Sequence, residues 1–100
     1  MMSLEPLVIN GHTCLAVTVH LPKTNLLAVT TDKGYIMCGA LDVALLNDKL
    51  KDREILAARA VGVRTIQDLL EAPLESVTYE AEKRGITVGM MGKDALLKMI

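Results

Sequence analysis

The chain has no tryptophan and no phenylalanine, and its only aromatic residues are Tyr35 and Tyr79. A core must therefore be assembled from Leu, Val, Ile, Met and Ala, which dominate a hydrophobic share of 51%. Neither sign of charge is in surplus: eleven Lys and Arg stand against twelve Asp and Glu, for a formal net charge of −1. A nucleic-acid face needs a basic excess, so nucleic acid is not an expected partner. Cysteine is scarce as well. Cys14 and Cys38 are too few for the disulfide framework that staples small secreted domains. No apolar run approaches the ~18 residues that span a bilayer, and the first six residues carry Glu5 and Pro6 where a signal peptide has basic residues. The expectation is a reduced, cytoplasmic protein with no membrane contact and no cofactor.

One hundred residues suffice for a single domain, residues 1–100, with one core. An apolar share this high in so short a chain points to a subunit interface, and a homo-oligomer, dimer or higher, is expected.

Residues 4–9 and 13–21 alternate as strands around Asn10-Gly11, two residues that tolerate the positive φ of a tight hairpin turn. On the second strand Leu15, Val17, Val19 and Leu21 share one face while Cys14, Ala16, Thr18 and His20 share the other. Both faces are apolar or small, which predicts cover on both sides. Pro22-Lys23-Thr24-Asn25 is a turn, residues 26–31 a third strand, and Thr31-Asp32-Lys33-Gly34 a reversal into a fourth at residues 35–38.

After Gly39 the period changes to helical. Leu41, Ala44 and Leu45 lie along one side, Val43, Leu46 and Leu50 widen the apolar face, and the basic residues Lys49, Lys51 and Arg53 mark the end. Residues 55–61 read as a fifth strand. Thr65 and Asp68 have the spacing of a capping box that starts a short helix ending around Leu70. Ala72-Pro73 opens another, with Leu74, Val77 and Ala81 as its stripe and Gly85 as its left-handed terminator. Residues 86–88 form a last strand and residues 93–100 a terminal helix. The fold class is α/β bordering on α+β: an antiparallel meander followed by βαβ-like units in one mixed sheet with helices packed on it. Three joints then gather at one sheet edge: Cys38-Gly39, residues 62–65 and residues 89–92. Sites in open α/β sheets form outside the carboxyl ends of strands.

The runs Leu21-Pro22-Lys23-Thr24-Asn25, Gly34-Tyr35-Ile36-Met37-Cys38-Gly39-Ala40-Leu41-Asp42-Val43 and Ala60-Val61-Gly62-Val63-Arg64-Thr65-Ile66 resemble those of a family of small bacterial and archaeal proteins known as domain of unknown function 1805. The similarity extends over residues 4–97, and the cysteine-bearing run is its most specific part. It implies a compact α+β or α/β domain and carries over no mechanism.

Three functional readings stay open. The first is a pocket for a small anionic metabolite at the strand-to-helix joints, held by Gly39, Gly62, Arg64 and Thr65 through amides, a hydroxyl and a guanidinium fork. The second is a cysteine-dependent hydrolase or transferase. Its nucleophile is Cys38 beside a helix start, with Asp42 as base or orienting carboxylate and His20 as a base reached across the meander. The third is a structural or regulatory protein–protein module. Cys38 as plain packing, Asp42 as favourable first-turn charge and Arg64 as a solvated strand exit are the competing explanations. His12 and His20 have no metal-ligand spacing, so no metal is expected.

Overall fold

Asn10 and Gly11 take φ of 48° and 82°, so the chain reverses in two residues and pairs β1 (Met2–Ile9) with β2 (His12–Leu21) from Ile9↔His12 outward. This hairpin belongs to a computed structural model that describes residues 2–49 and 51–100; Met1 and Leu50, the latter expected on a helix face, lie outside it. A second reversal leads to β3 (Thr24–Thr30) and a third to β4 (Gly34–Met37). Thr31 closes the third turn, its Oγ1 accepting from the amides of Gly34 at 3.0 Å and Lys33 at 3.2 Å.

From β4 the chain crosses through α1 (Val43–Asp48) and a 3-10 turn (Lys51–Arg53) to β5 (Leu56–Arg59), which lies parallel to β4. The helix expected to run near Arg53 thus stops at Asp48. Next come α2 (Ile66–Glu71), β6 (Ser76–Val77), α3 (Tyr79–Lys83) and α4 (Gly92–Leu97). The sheet has the order β1-β2-β3-β4-β5-β6, with only the β4–β5 pair parallel. This is the antiparallel meander followed by βαβ-like units in one mixed sheet that the sequence implies.

Residues 72–88 depart from expectation in detail. The stripe Leu74, Val77, Ala81 has helical spacing but comes from three pieces. Leu74 sits in a backbone ladder, donating to Met90 O at 2.9 Å and accepting from Gly89 N at 2.9 Å. Val77 is in β6, antiparallel to β5, and Ala81 alone is helical. Pro73, acceptable at a helix start, lies instead in an isolated bridge to Met91. Residues 86–88 are not a strand; Ile86 is a fully buried plug. Thr78 makes the switch from strand to helix. Buried at 2% exposure, its Oγ1 accepts from Ala57 N at 3.2 Å and caps α3 through Ala81 N at 3.3 Å. Gly85, at φ 83°, ends α3 as the sequence predicts.

Because paired residues share a face, the register sorts the side chains. Ala16, Val29, Ile36 and Ala58 form one face, buried under α2, α3 and α4, whose Leu69, Ala81 and Leu96 are fully covered. Each such Leu or Ile contributes about 1.5–3 kcal/mol of burial. On the opposite face α1 covers only the β5 side, with Leu41, Val43 and Leu46 over Ala57 and against Tyr35 and Met37. The face of β2 that carries Leu15 and Leu21 therefore lacks the cover expected for it: Leu15 is 38% and Leu21 45% exposed.

Candidate functional site

The joint after β4 is stitched to both neighbouring strands. Cys38 N donates to Leu27 O at 3.0 Å, and Leu27 N donates to Cys38 Sγ at 3.4 Å. Gly39 O accepts from Arg59 Nη2 at 3.0 Å, while Arg59 Nη1 meets Glu75 Oε1 at 3.2 Å. A single guanidinium thus ties the joint to β5 and to the approach of β6. The strand does not run straight into the helix, as the sequence suggests. Residues 38–42 intervene, Leu41 N turns back to Cys38 O at 3.1 Å, and α1 starts only after its N-cap Asp42, whose Oδ1 accepts from Leu45 N at 3.0 Å. The orphan amides of α1 are therefore a full loop away from the thiol, which is buried at 7% exposure.

The joint after β5 leaves through Gly62, at φ 74°. Thr65 caps α2 by accepting from Asp68 N at 3.0 Å, and Asp68 Oδ2 reaches back past it to Arg64 N at 3.2 Å. The capping box is present, with its return bond displaced by one residue. Arg64 then borders a hollow of about 620 Å³ with Leu21, Lys23, Thr24, Asn25 and Val63. Lys23 holds φ 65° at the tip of the β2–β3 turn. A second cavity of about 340 Å³ is lined by Cys38, Gly39, Ala40 and Leu26, and shares Leu21, Thr24, Asn25 and Val63 with the first. Cys38 and Arg64 thus border adjoining hollows at the carboxyl end of the parallel β4–β5 pair, closed on the far side by the β2–β3 turn. Among the described residues, the larger hollow is lined by two cationic side chains and no carboxylate.

Other expected residues lie elsewhere. Asp42 faces a separate hollow of about 450 Å³, with Arg59, Glu75 and Glu82, and does not share a cavity with Cys38. His20 pairs with Asn25 across β2 and β3, its Nδ1 3.1 Å from Asn25 Oδ1. Cys38 lies two strands away and one repeat along, which separates the two backbones by ~12 Å. The segment 89–92 is not at this edge: Gly92 N donates to Ala72 O at 3.1 Å, and Gly92 packs against Leu69 and Ile36. Gly62 and Thr65 line neither hollow: Gly62 supplies the turn, and the Thr65 hydroxyl expected to hold the ligand caps α2 instead.

Sequence reasoning passed over Lys23 and Arg59. Lys23 reads as an ordinary turn residue, and its meeting with Arg64 depends on sheet order. Arg59 left a signal: it is the one charged side chain in the run Leu56-Ala57-Ala58-Arg59-Ala60-Val61. Among the described residues no group of three His, Cys, Asp or Glu side chains is placed to hold a metal, and no helix is long and apolar enough to cross a membrane.

Comparison with known proteins agrees with this fold over its whole length. The family model described as "Domain of unknown function (DUF1805)" matches residues 37–99. "Uncharacterized protein YunC" of Bacillus subtilis (strain 168) is 68% identical over 100 residues, spanning 100% of this chain and 99% of that protein. The crystal structure of a protein of unknown function, TA1206 from Thermoplasma acidophilum, superposes with a TM-score of 0.89 at 31% identity, covering 100% of this chain and 94% of that one.

Proposed function

This chain belongs to the DUF1805 family, and from that premise we propose that it binds a small anionic metabolite in the hollow between the β2–β3 turn and the joints after β4 and β5. The observation that carries the reading is the meeting of Lys23 and Arg64 in one lining without a carboxylate. Arg64 supplies a planar fork that matches a carboxylate or phosphate, Lys23 a point charge, and Thr24 and Asn25 further polar groups. The Thr65 hydroxyl and the Gly62 turn hold Arg64 at the rim through the capped start of α2. Gly39, tied to Arg59, forms the floor of the adjoining cavity with Cys38.

Binding fits these groups better than cysteine catalysis. The cavity beside Cys38 is lined by no histidine or carboxylate among the described residues, and its sulfur already accepts an amide. A nucleophilic thiol is activated by a base within about 3 Å or by a helix start beside it, and α1 begins only after Asp42. Cys38 is assigned to the ligand's apolar side and to packing. A homo-oligomer in the reduced cytoplasm belongs to the same reading, since the apolar sheet surface is not consumed within one chain.

The test is a thermal-shift and calorimetric screen of phosphate, phosphate esters and small polycarboxylates against the wild type, Lys23→Ala and Arg64→Ala. One class is expected to bind saturably, with each substitution weakening it by about tenfold, near 1.4 kcal/mol, as for the loss of a charged hydrogen bond. Equal binding by the wild type and both variants, or no saturable binding by any anion class, would sink the proposal.

A further inference from the structure

An antiparallel sheet with one face in water normally turns polar residues to that face. Here the uncovered face is largely apolar instead. In the observed register thirteen positions of β1, β2 and β3 point to the side opposite α2 and α4, and none of them is charged. Leu4 is 54% exposed, Val8 65%, Leu15 38% and Leu21 45%, with Val17 and Val19 half-buried between them. The acidic residue and the histidines of these strands, Glu5, His12 and His20, all lie on the other face. Both faces of β2 and β3 are therefore apolar, one buried under the helices through Cys14, Ala16, Leu27 and Val29 and the other without cover in this chain.

We propose that this face is the interface with a second copy of the chain, packed sheet on sheet about a two-fold axis. The face has no charge for a differently charged partner to complement, whereas an isologous contact needs only a patch that fits itself. Its size suits that occupant. Three strands of about eight residues give a projected area of ~400 Å² per copy at ordinary strand spacings, so ~800 Å² for the pair before side-chain relief is counted. Side-chain relief has to supply the remainder of the ~1,000 Å² that marks a specific interface. Two such faces stacked ~10 Å apart reproduce a sandwich core. Pairing through the free edge of β1 is the poorer geometry. Counted from the hairpin, Pro6↔Leu15 is a wide pair, so the Pro6 nitrogen points outward and has no hydrogen to donate. Leu21 and Thr24 belong both to this face and to the lining of the larger hollow, so the interface borders the anion site, although neither is inferred from the other.

Sedimentation equilibrium of the full chain over the micromolar range tests it. The wild type is expected at twice the 10.8 kDa chain mass. The double variant Leu4→Glu, Leu15→Glu changes two exposed positions and is expected to raise the dimer dissociation constant at least about a hundredfold, two decades at about 1.4 kcal/mol each, with an unchanged far-ultraviolet spectrum. If that variant does not fold, methyl spectra of the wild type with a soluble paramagnetic probe decide. Leu4, Leu15 and Val17 methyls shielded at high concentration and exposed on dilution support the interface; equal exposure at both overturns it. A monomeric wild type, an odd-numbered assembly, a dimer that survives the double variant, or a face occupied by a different protein would also overturn it.

Discussion

Gly92→Ala sets two effects of opposite sign against each other. Gly92 opens α4, and alanine is the better helix former by up to about 1 kcal/mol, less at a first position. A Cβ there, however, would sit 2.3 Å from the Leu69 carbonyl oxygen and 3.1 Å from Ile36 Cδ1. The nearest obstacle is backbone inside α2, and both Leu69 and Ile36 are fully buried. To reach even 3.0 Å, below which real Cβ contacts are essentially never seen, α4 and α2 must part by about 0.7 Å. Overpacking of this kind costs about 1–3 kcal/mol, and rigid neighbours on both sides place it at the upper end. The Gly92 N–H bond to Ala72 O stretches with it. The net expectation is a loss of about 2 kcal/mol, or a fall in melting temperature of about 8–16 °C for a domain of this size. Urea unfolding followed by circular dichroism measures it, with a lower midpoint and an unchanged slope. A variant as stable as the wild type, or more so, would refute the claim that α2 and α4 are in backbone contact at this point.

Thr78→Val keeps the volume and removes the oxygen that serves both Ala57 N and Ala81 N. Two amides lose their acceptor, and a loss of about 2–4 kcal/mol is expected, with Thr78→Ser recovering most of it; equal denaturation midpoints for Thr78→Val and the wild type would contradict the shared cap. Stability is also expected to fall at alkaline pH. Burial pushes the Cys14 thiol and the Tyr35 phenol up from their ordinary values, so above about pH 8.5 the folded chain holds protons that the unfolded chain releases. The contribution is intact below that point and is lost as the pH rises through the raised folded-state values. Denaturation midpoints measured across this window are expected to decline, less steeply in Cys14→Ala; a rise with pH would contradict the sign.

The features that local chemistry dictates were legible in the sequence. Asn10-Gly11 is a hairpin because both residues accept positive φ, Thr65 with Asp68 starts α2, and Gly85 ends α3, each without help from distant residues. Residues 72–78 were misread because Leu74, Val77 and Ala81 imitate a helical stripe while each is buried by a different partner. A two-residue strand such as β6 is defined by the edge of β5 rather than by its own propensity. The passage from β4 to α1 was read one loop too short for a related reason. Only the Leu41–Cys38 turn and the Asp42 cap place the helix start, and alternation alone does not mark them. Residue type and position after strands mark Cys38 and Arg64 in the sequence. Lys23, which completes the charge around the larger hollow, was invisible until the β2–β3 turn was known to lie over the carboxyl ends of β4 and β5. The bare face of β2 is not legible in the sequence, because two apolar sides look alike whether or not the same chain covers them.

The central claim is that an anion is held between Lys23 and Arg64. Its most direct measurement is a titration of the ¹⁵N-labelled protein with inorganic phosphate, followed through the backbone amides. The account predicts saturable shifts concentrated at residues 23–25 and 62–65, with smaller ones at residues 39–40, and their loss in Arg64→Ala. Shifts that do not saturate, that centre on the Asp42–Glu82 hollow, or that persist in Arg64→Ala would contradict it.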